Sequence, residues 1–201
     1  MQLLLVKMLR KRSIKVINKE EALMKQLAPL EDAIAKVHKD LPHLPKGLTT
    51  WLVENAWWLV IIGVACGAIG VITTITTLTA GSLLLGSIAG AALGGAVFIS
   101  GIITIIVLVL TIAIEAMAIQ PLKAKQKRGW DLLFLASLVG IAGSLVSALL
   151  GGPFSIVSGI IWAAVGAAIS FYILFELRTH YIGAKAAPEA TVVPPKPTKD
   201  A

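Results

Sequence analysis

Residues 55–114 and 132–175 of this chain contain no Asp, Glu, Lys, Arg or His. A water-soluble fold must show polar faces to solvent, whereas each of these stretches is long enough to cross a bilayer twice at about 20 residues per helix. Only 14% of all residues are charged and 57% are hydrophobic. Soluble domains carry roughly a quarter charged residues, so the deficit places the chain in a membrane. It also strips the apolar half of the side chains that perform proton transfer and ion coupling. The single cysteine, Cys66, excludes an intramolecular disulfide and a multi-cysteine metal site, and reads as a small packing residue. HExxH, CxxC and P-loop motifs are absent, as is a GxSxG in a strand-turn-helix setting. His38, His43 and His180 fall in charged segments. The spacing of five between the first two crosses Pro42, which argues against a metal pair. The expectation is therefore a non-enzymatic protein with no catalytic residue, no metal ligand and no cofactor.

The charges that are present lie in 1–54, 115–131 and 176–201. Gly151, Gly152 and Pro153 interrupt the second apolar run with residues that break helices, giving spans of about 131–150 and 154–176. Each suits ~30 Å of hydrocarbon at ~1.5 Å per residue. The first run yields a span of about 57–79 and another of about 91–119, ending before Gln120 and Pro121. A helix starting at Ser82 would reach roughly 50 Å, so Ala80 to Gly90 is predicted to lie outside the main spans as an apolar outer loop or a re-entrant segment. The expected fold is all-α. It is an integral membrane four-helix bundle of two helical hairpins across 47–182, preceded by cytoplasmic amphipathic helices in 1–46 and followed by a disordered, proline-rich tail in 183–201.

Orientation follows from the distribution of Lys and Arg. Basic residues precede the first span, fill the central loop and follow the last span, while the other two connections are uncharged. The positive-inside rule then puts both termini and the central loop in the cytoplasm. The net charge of +7 is assigned to anionic lipid headgroups rather than nucleic acid, with Lys123, Lys125, Lys127, Arg128, Arg10, Lys11 and Arg12 as the contacts to lipid or a partner. Residues 1–17 have their basic cluster after the short apolar run Leu3 to Val6, the reverse of a secretory signal. Trp51, Trp57, Trp58, Trp130 and Tyr181 are expected to anchor the same interface as an aromatic belt.

Helices in lipid associate through small residues. Ala136, Gly140, Ser144 and Ala148 on the third span, and Ser155, Gly159, Ala163 and Ala167 on the fourth, recur every four residues and are expected to meet across the Gly151 to Pro153 turn. Gly63 with Gly67 makes a further pair, and Gly86, Gly90 and Gly94 another. Thr73, Thr74, Thr76, Thr77 and Thr79 are expected to bond back to carbonyls one turn earlier rather than line a hydrophilic path. Glu115 is expected to snorkel to the interface, and Trp162 to face the bundle. In the N-terminal part, Leu23, Leu27, Leu30, Ile34, Val37, Leu41 and Leu44 alternate steps of four and three, an amphipathic seam. Asn18 with Glu21 resembles an N-cap, and Pro29 is predicted to start a second helix, with Glu31 and Asp32 in its first turn. Two short helices on the membrane surface are preferred to a coiled-coil or partner-binding seam.

Leu41-Pro42-His43-Leu44-Pro45-Lys46, Gly129-Trp130-Asp131-Leu132-Leu133-Phe134 and Phe171-Tyr172-Ile173-Leu174-Phe175-Glu176-Leu177-Arg178 resemble small, uncharacterised prokaryotic membrane proteins with four spans. The likeness covers about residues 41–181 and implies the cytoplasmic membrane of a prokaryote, without an activity. The function expected is a membrane scaffold or accessory subunit, engaging the anionic bilayer and a possible protein partner or second copy. A passive channel or permease component is the alternative.

Overall fold

The structure, a computed structural model, describes residues 22–150 and 153–182, with the side chains of 153–155 excepted. Helix α1 covers 22–38. It is followed by α2 (Lys46–Ala89), α3 (Ala91–Lys123), α4 (Lys127–Leu150) and α5 (Pro153–Ile182). No strand occurs among the described residues, so the fold is all-α as the sequence implies. The four long helices are each apolar and long enough to cross a bilayer, and the chain is a multi-pass membrane protein. The N-terminal segment with Arg10, Lys11 and Arg12, the Asn18 and Glu21 pair, residues Gly151 and Gly152, and the tail from 183 lie outside the described residues.

The helices run up and down, with α2 packed on α3, α3 on α4 and α4 on α5, while α5 meets α2 only sparsely. The charged segments of the described chain, namely α1, the start of α2, the α3–α4 connection and the end of α5, therefore converge on one end of the bundle. The main core lies there too. Trp130, Phe134, Leu122 and Tyr181 are its largest fully buried side chains, packed with Val53, Ala118, Phe175 and Leu177. The opposite half leaves its large apolar side chains outward, as contact with lipid requires.

Residues 80–90 differ from expectation. They form no loop: residues 80–89 are the last turns of α2, and Gly90 alone connects α2 to α3. Gly90 has φ +92° and ψ 160°, a conformation essentially reserved for glycine. Gly86 and Gly94, expected to pack as small residues, do meet: a Cβ on Gly94 would sit 2.7 Å from the Gly86 Cα and 2.8 Å from the Ser82 carbonyl. Such close backbone approach is what glycine provides between membrane helices. The uncharged part of α2, 55–89, is thus roughly 50 Å long, more than a ~30 Å hydrocarbon layer accepts even at a tilt of about 40°. Contacts of Val107 with Gly143 and of Ser100 with Ser147 set the register of α3 on α4, so the α2–α3 tip lies about 10 Å beyond the end of α4 at Leu150.

Pro29 also behaves differently from the prediction. It lies inside one continuous α1 rather than opening a second helix. It is on the exposed side, where the carbonyl it leaves without an amide partner can meet water. Pro121 likewise sits inside α3. Its own carbonyl accepts the Gln126 amide at 2.9 Å in the turn that follows.

Candidate functional site

At the charged end, α1 docks on the C-terminal turns of α5. Met24, Leu27, Ile34 and Ala35 pack against the core, and Glu31 and His38 are buried on the same face. The inward face therefore runs Met24, Leu27, Glu31, Ile34 and His38, at steps of three and four. The predicted apolar seam is split: Leu27 and Ile34 turn inward, while Leu23, Leu30 and Val37 make a second stripe that faces outward, Val37 being 65% exposed. Arg178 Nε and Nη2 donate to Glu31 Oε1 at 2.9 and 2.7 Å. The charge-assisted pair ties the two helices together and neutralises a buried carboxylate.

The connection from α1 to α2 folds back on α5. A turn at Lys39 and Asp40 returns His43 beside His38, with ring centroids 5.4 Å apart. Tyr172 donates its hydroxyl proton to the Pro42 carbonyl at 2.6 Å. Glu176 lies beneath this connection, with its side chain 8% exposed. One carboxylate oxygen, Oε1, accepts from the Leu44 amide at 3.2 Å and the Thr49 hydroxyl at 3.5 Å. The other, Oε2, faces His43 Nδ1 at 3.1 Å and His38 Nε2 at 3.5 Å. Cavities of about 190 and 440 Å³ open on either side of Glu176. The spacing across Pro42, which in the sequence argues against a metal pair, nonetheless brings the two rings together. Proline constrains the backbone toward extended and turn conformations, and here that turn brings the rings together. The overlooked signal was the seven-residue spacing of Met24, Glu31 and His38, which puts two polar residues on the docking face.

Under this layer Trp130 stacks on Phe134 with centroids 5.4 Å apart, and Phe175 meets both rings edge-on at 5.5 and 5.9 Å. Trp130 Nε1 donates to the Leu174 carbonyl at 2.7 Å, and the Tyr181 hydroxyl donates to the Val53 carbonyl at 3.4 Å. Trp130 and Tyr181 are therefore core residues rather than interface anchors; their indole and phenol protons find carbonyls inside the protein instead of headgroups. Trp51 and Trp58 are each 50% exposed and fit an anchoring role, while Trp57 packs partly on the core beneath Lys123 Nζ, 5.1 Å from its ring. Lys123, Lys125, Lys127 and Arg128 are all exposed, with Lys127 3.8 Å from Asp131.

The small-residue faces are redistributed. Gly63 and Gly67 face Glu115 and Ile112 of α3. On α4 the close contact is Gly143, where a Cβ would lie 2.2 Å from Val107 Cγ1, whereas a Cβ on Gly140 would meet nothing within 4 Å. Ser144 bonds back to the Gly140 carbonyl at 2.8 Å. The two predicted stripes touch at Gly159 and Ala148 near the turn, then separate around a cavity of about 280 Å³ whose lining includes Gly140, Ser144, Ala163, Glu115, Ser137 and Ser170. Glu115 thus turns into the bundle instead of snorkelling, because Gly63 leaves room on one side and the gap between α4 and α5 on the other. Trp162 borders the same cavity but is 74% exposed, outward rather than facing the bundle. The five threonines between positions 73 and 79 all bond back to carbonyls three or four residues earlier, as expected.

The charged end can therefore hold a helix through an ion pair and present two imidazoles to one carboxylate. The chain matches no known family model, no curated protein and no solved structure, so its role rests on the chemistry of these residues.

Proposed function

We propose that this protein is a non-enzymatic membrane scaffold or accessory subunit whose working face is the charged end of the bundle. The observation that carries this reading is the outward stripe of α1, in which Leu23, Leu30 and Val37 are exposed among the described residues on a helix docked through Glu31 and Arg178. A held helix with a free apolar face suits a partner protein, and the exposed Lys123 to Arg128 loop suits anionic headgroups. This reading includes a prokaryotic cytoplasmic membrane with both termini and the basic loop in the cytoplasm. Crosslinking in native membranes followed by co-purification tests it. Wild-type protein should capture a defined partner that the Leu30→Asp, Val37→Asp double variant loses, and capture that survives the double change would sink the reading.

A passive channel or permease component is the second reading. It is favoured by the cavity holding Glu115, Ser137, Ser144 and Ser170 between α3, α4 and α5. The threonines between 73 and 79 do not contribute to it, because their hydroxyls are occupied by the helix's own carbonyls. Solute flux into liposomes containing the purified protein alone, lost on Glu115→Leu, would select this reading over the scaffold.

A further inference from the structure

We propose that His38, His43 and Glu176 form a site for a divalent transition-metal ion of the zinc class, which would fasten the α1–α2 connection to α5. One donor atom from each of the three residues lies within 4.8 Å of the others. Zinc bonded at ~2.0–2.1 Å to nitrogen and oxygen holds neighbouring ligand atoms about 3.3 Å apart. Glu176 Oε2 is already 3.1 Å from His43 Nδ1 and 3.5 Å from His38 Nε2. Two edges of the ligand triangle therefore have metal-site spacing. The third closes by movement of His43, whose side chain is 60% exposed and free to turn.

Two further features point to a ligand rather than to chance proximity. The side chain of His38 is nine-tenths buried, yet its Nε2, aimed at Glu176, has no hydrogen-bond partner. Buried polar nitrogens are almost always paired, and a metal bond would supply what the protein does not. Glu176 Oε1 is held by the Leu44 amide and the Thr49 hydroxyl, the outer hydrogen bonds that orient a metal-binding carboxylate. Two imidazoles and one carboxylate complete three positions of a tetrahedron. The fourth opens on the cavity of about 190 Å³ beside Thr179 and Arg178, room enough for a water ligand.

The site goes beyond the scaffold reading and stands whether or not a partner binds α1. Full-length protein in detergent, stripped with a chelator, is titrated with zinc chloride against a chromophoric zinc indicator. One zinc should bind per chain, and the His43→Ala and Glu176→Gln variants should each weaken binding about tenfold or more. The His180→Ala variant, altered on the neighbouring cavity, should bind as wild type does. Zinc should also raise the thermal midpoint of wild type but not of His43→Ala. Because His43 is exposed, His43→Ala keeps the test decisive even where Glu176→Gln loosens the fold. Absence of saturable zinc binding in wild type overturns the proposal, as does folded His43→Ala protein that binds zinc with wild-type affinity. Loss of binding in His180→Ala with retention in His43→Ala would overturn it too.

Discussion

Trp130 shows how far a residue's surroundings can reverse its expected role. Its neighbours in sequence, a basic loop on one side and an apolar run on the other, are those of an interfacial tryptophan. In the folded chain it is fully buried between Phe134 and Phe175, with Arg178 5.9 Å above the ring and its indole proton on Leu174. Trp130→Phe keeps most of the ring contacts and leaves the Leu174 carbonyl without its indole donor, so a loss of about 1–2 kcal/mol is expected in detergent unfolding. A change below experimental error would mean that the hydrogen bond is not formed. Leu174 lies 44 residues away, so nothing local in the sequence could have named this partner. The histidines are the same kind of case. His38, His43 and Glu176 were visible as polar residues at segment ends, but their convergence depends on the turn at 39–40 and on α5 passing beneath it.

Among the elements, α4 offers the cleanest contrast. Gly140 and Gly143 lie on different faces of one helix; the four-residue spacing selected Gly140, and the packing selects Gly143. Gly143→Leu would drive a side chain into Val107, whose Cβ is itself 2.8 Å from the added atom and cannot swing away. A destabilisation of about 1–3 kcal/mol or more is expected from such overpacking, against about 0.5 kcal/mol or less for Gly140→Ala, where the added methyl meets open space and helix propensity improves. Thermal midpoints of the two variants in the same detergent check the order, and equal effects would restore the stripe first drawn from the sequence. The α2–α3 hairpin makes a related point. The sequence places Gly81, Gly86 and Gly90 outside the spans because a helix running through them would be too long for the hydrocarbon layer. The small profile of glycine in a membrane helix instead promotes close contact, and only Gly90, with its positive φ, makes a turn.

For the molecule as a whole, the segregation of charge is the governing feature. Antiparallel helices with uncharged far-side connections force the described charges, Glu115 apart, to one end, where α1 closes over the aromatic core. Reporter domains fused after residue 46, within 123–128 and after 185 should all signal the cytoplasm under the proposed orientation. An external signal from the 123–128 fusion, with the flanking fusions cytoplasmic, would be incompatible with four spans.

The sequence by itself determined the membrane class, the all-α fold, the two hairpins and the back-bonded threonines. These follow from properties summed or repeated along the chain: an absence of ionisable groups, the length that spans hydrocarbon, and hydroxyls within reach of their own helix. Only the tertiary structure decided that Trp130 and Tyr181 are core, that Glu115 turns inward, that Gly143 rather than Gly140 meets a neighbour, and that two histidines share one carboxylate. Each of these depends on the rotation of one helix about its axis relative to another. Hydropathy is blind to that angle in a chain where nearly every face is apolar, and it is fixed by side-chain packing between segments distant in sequence.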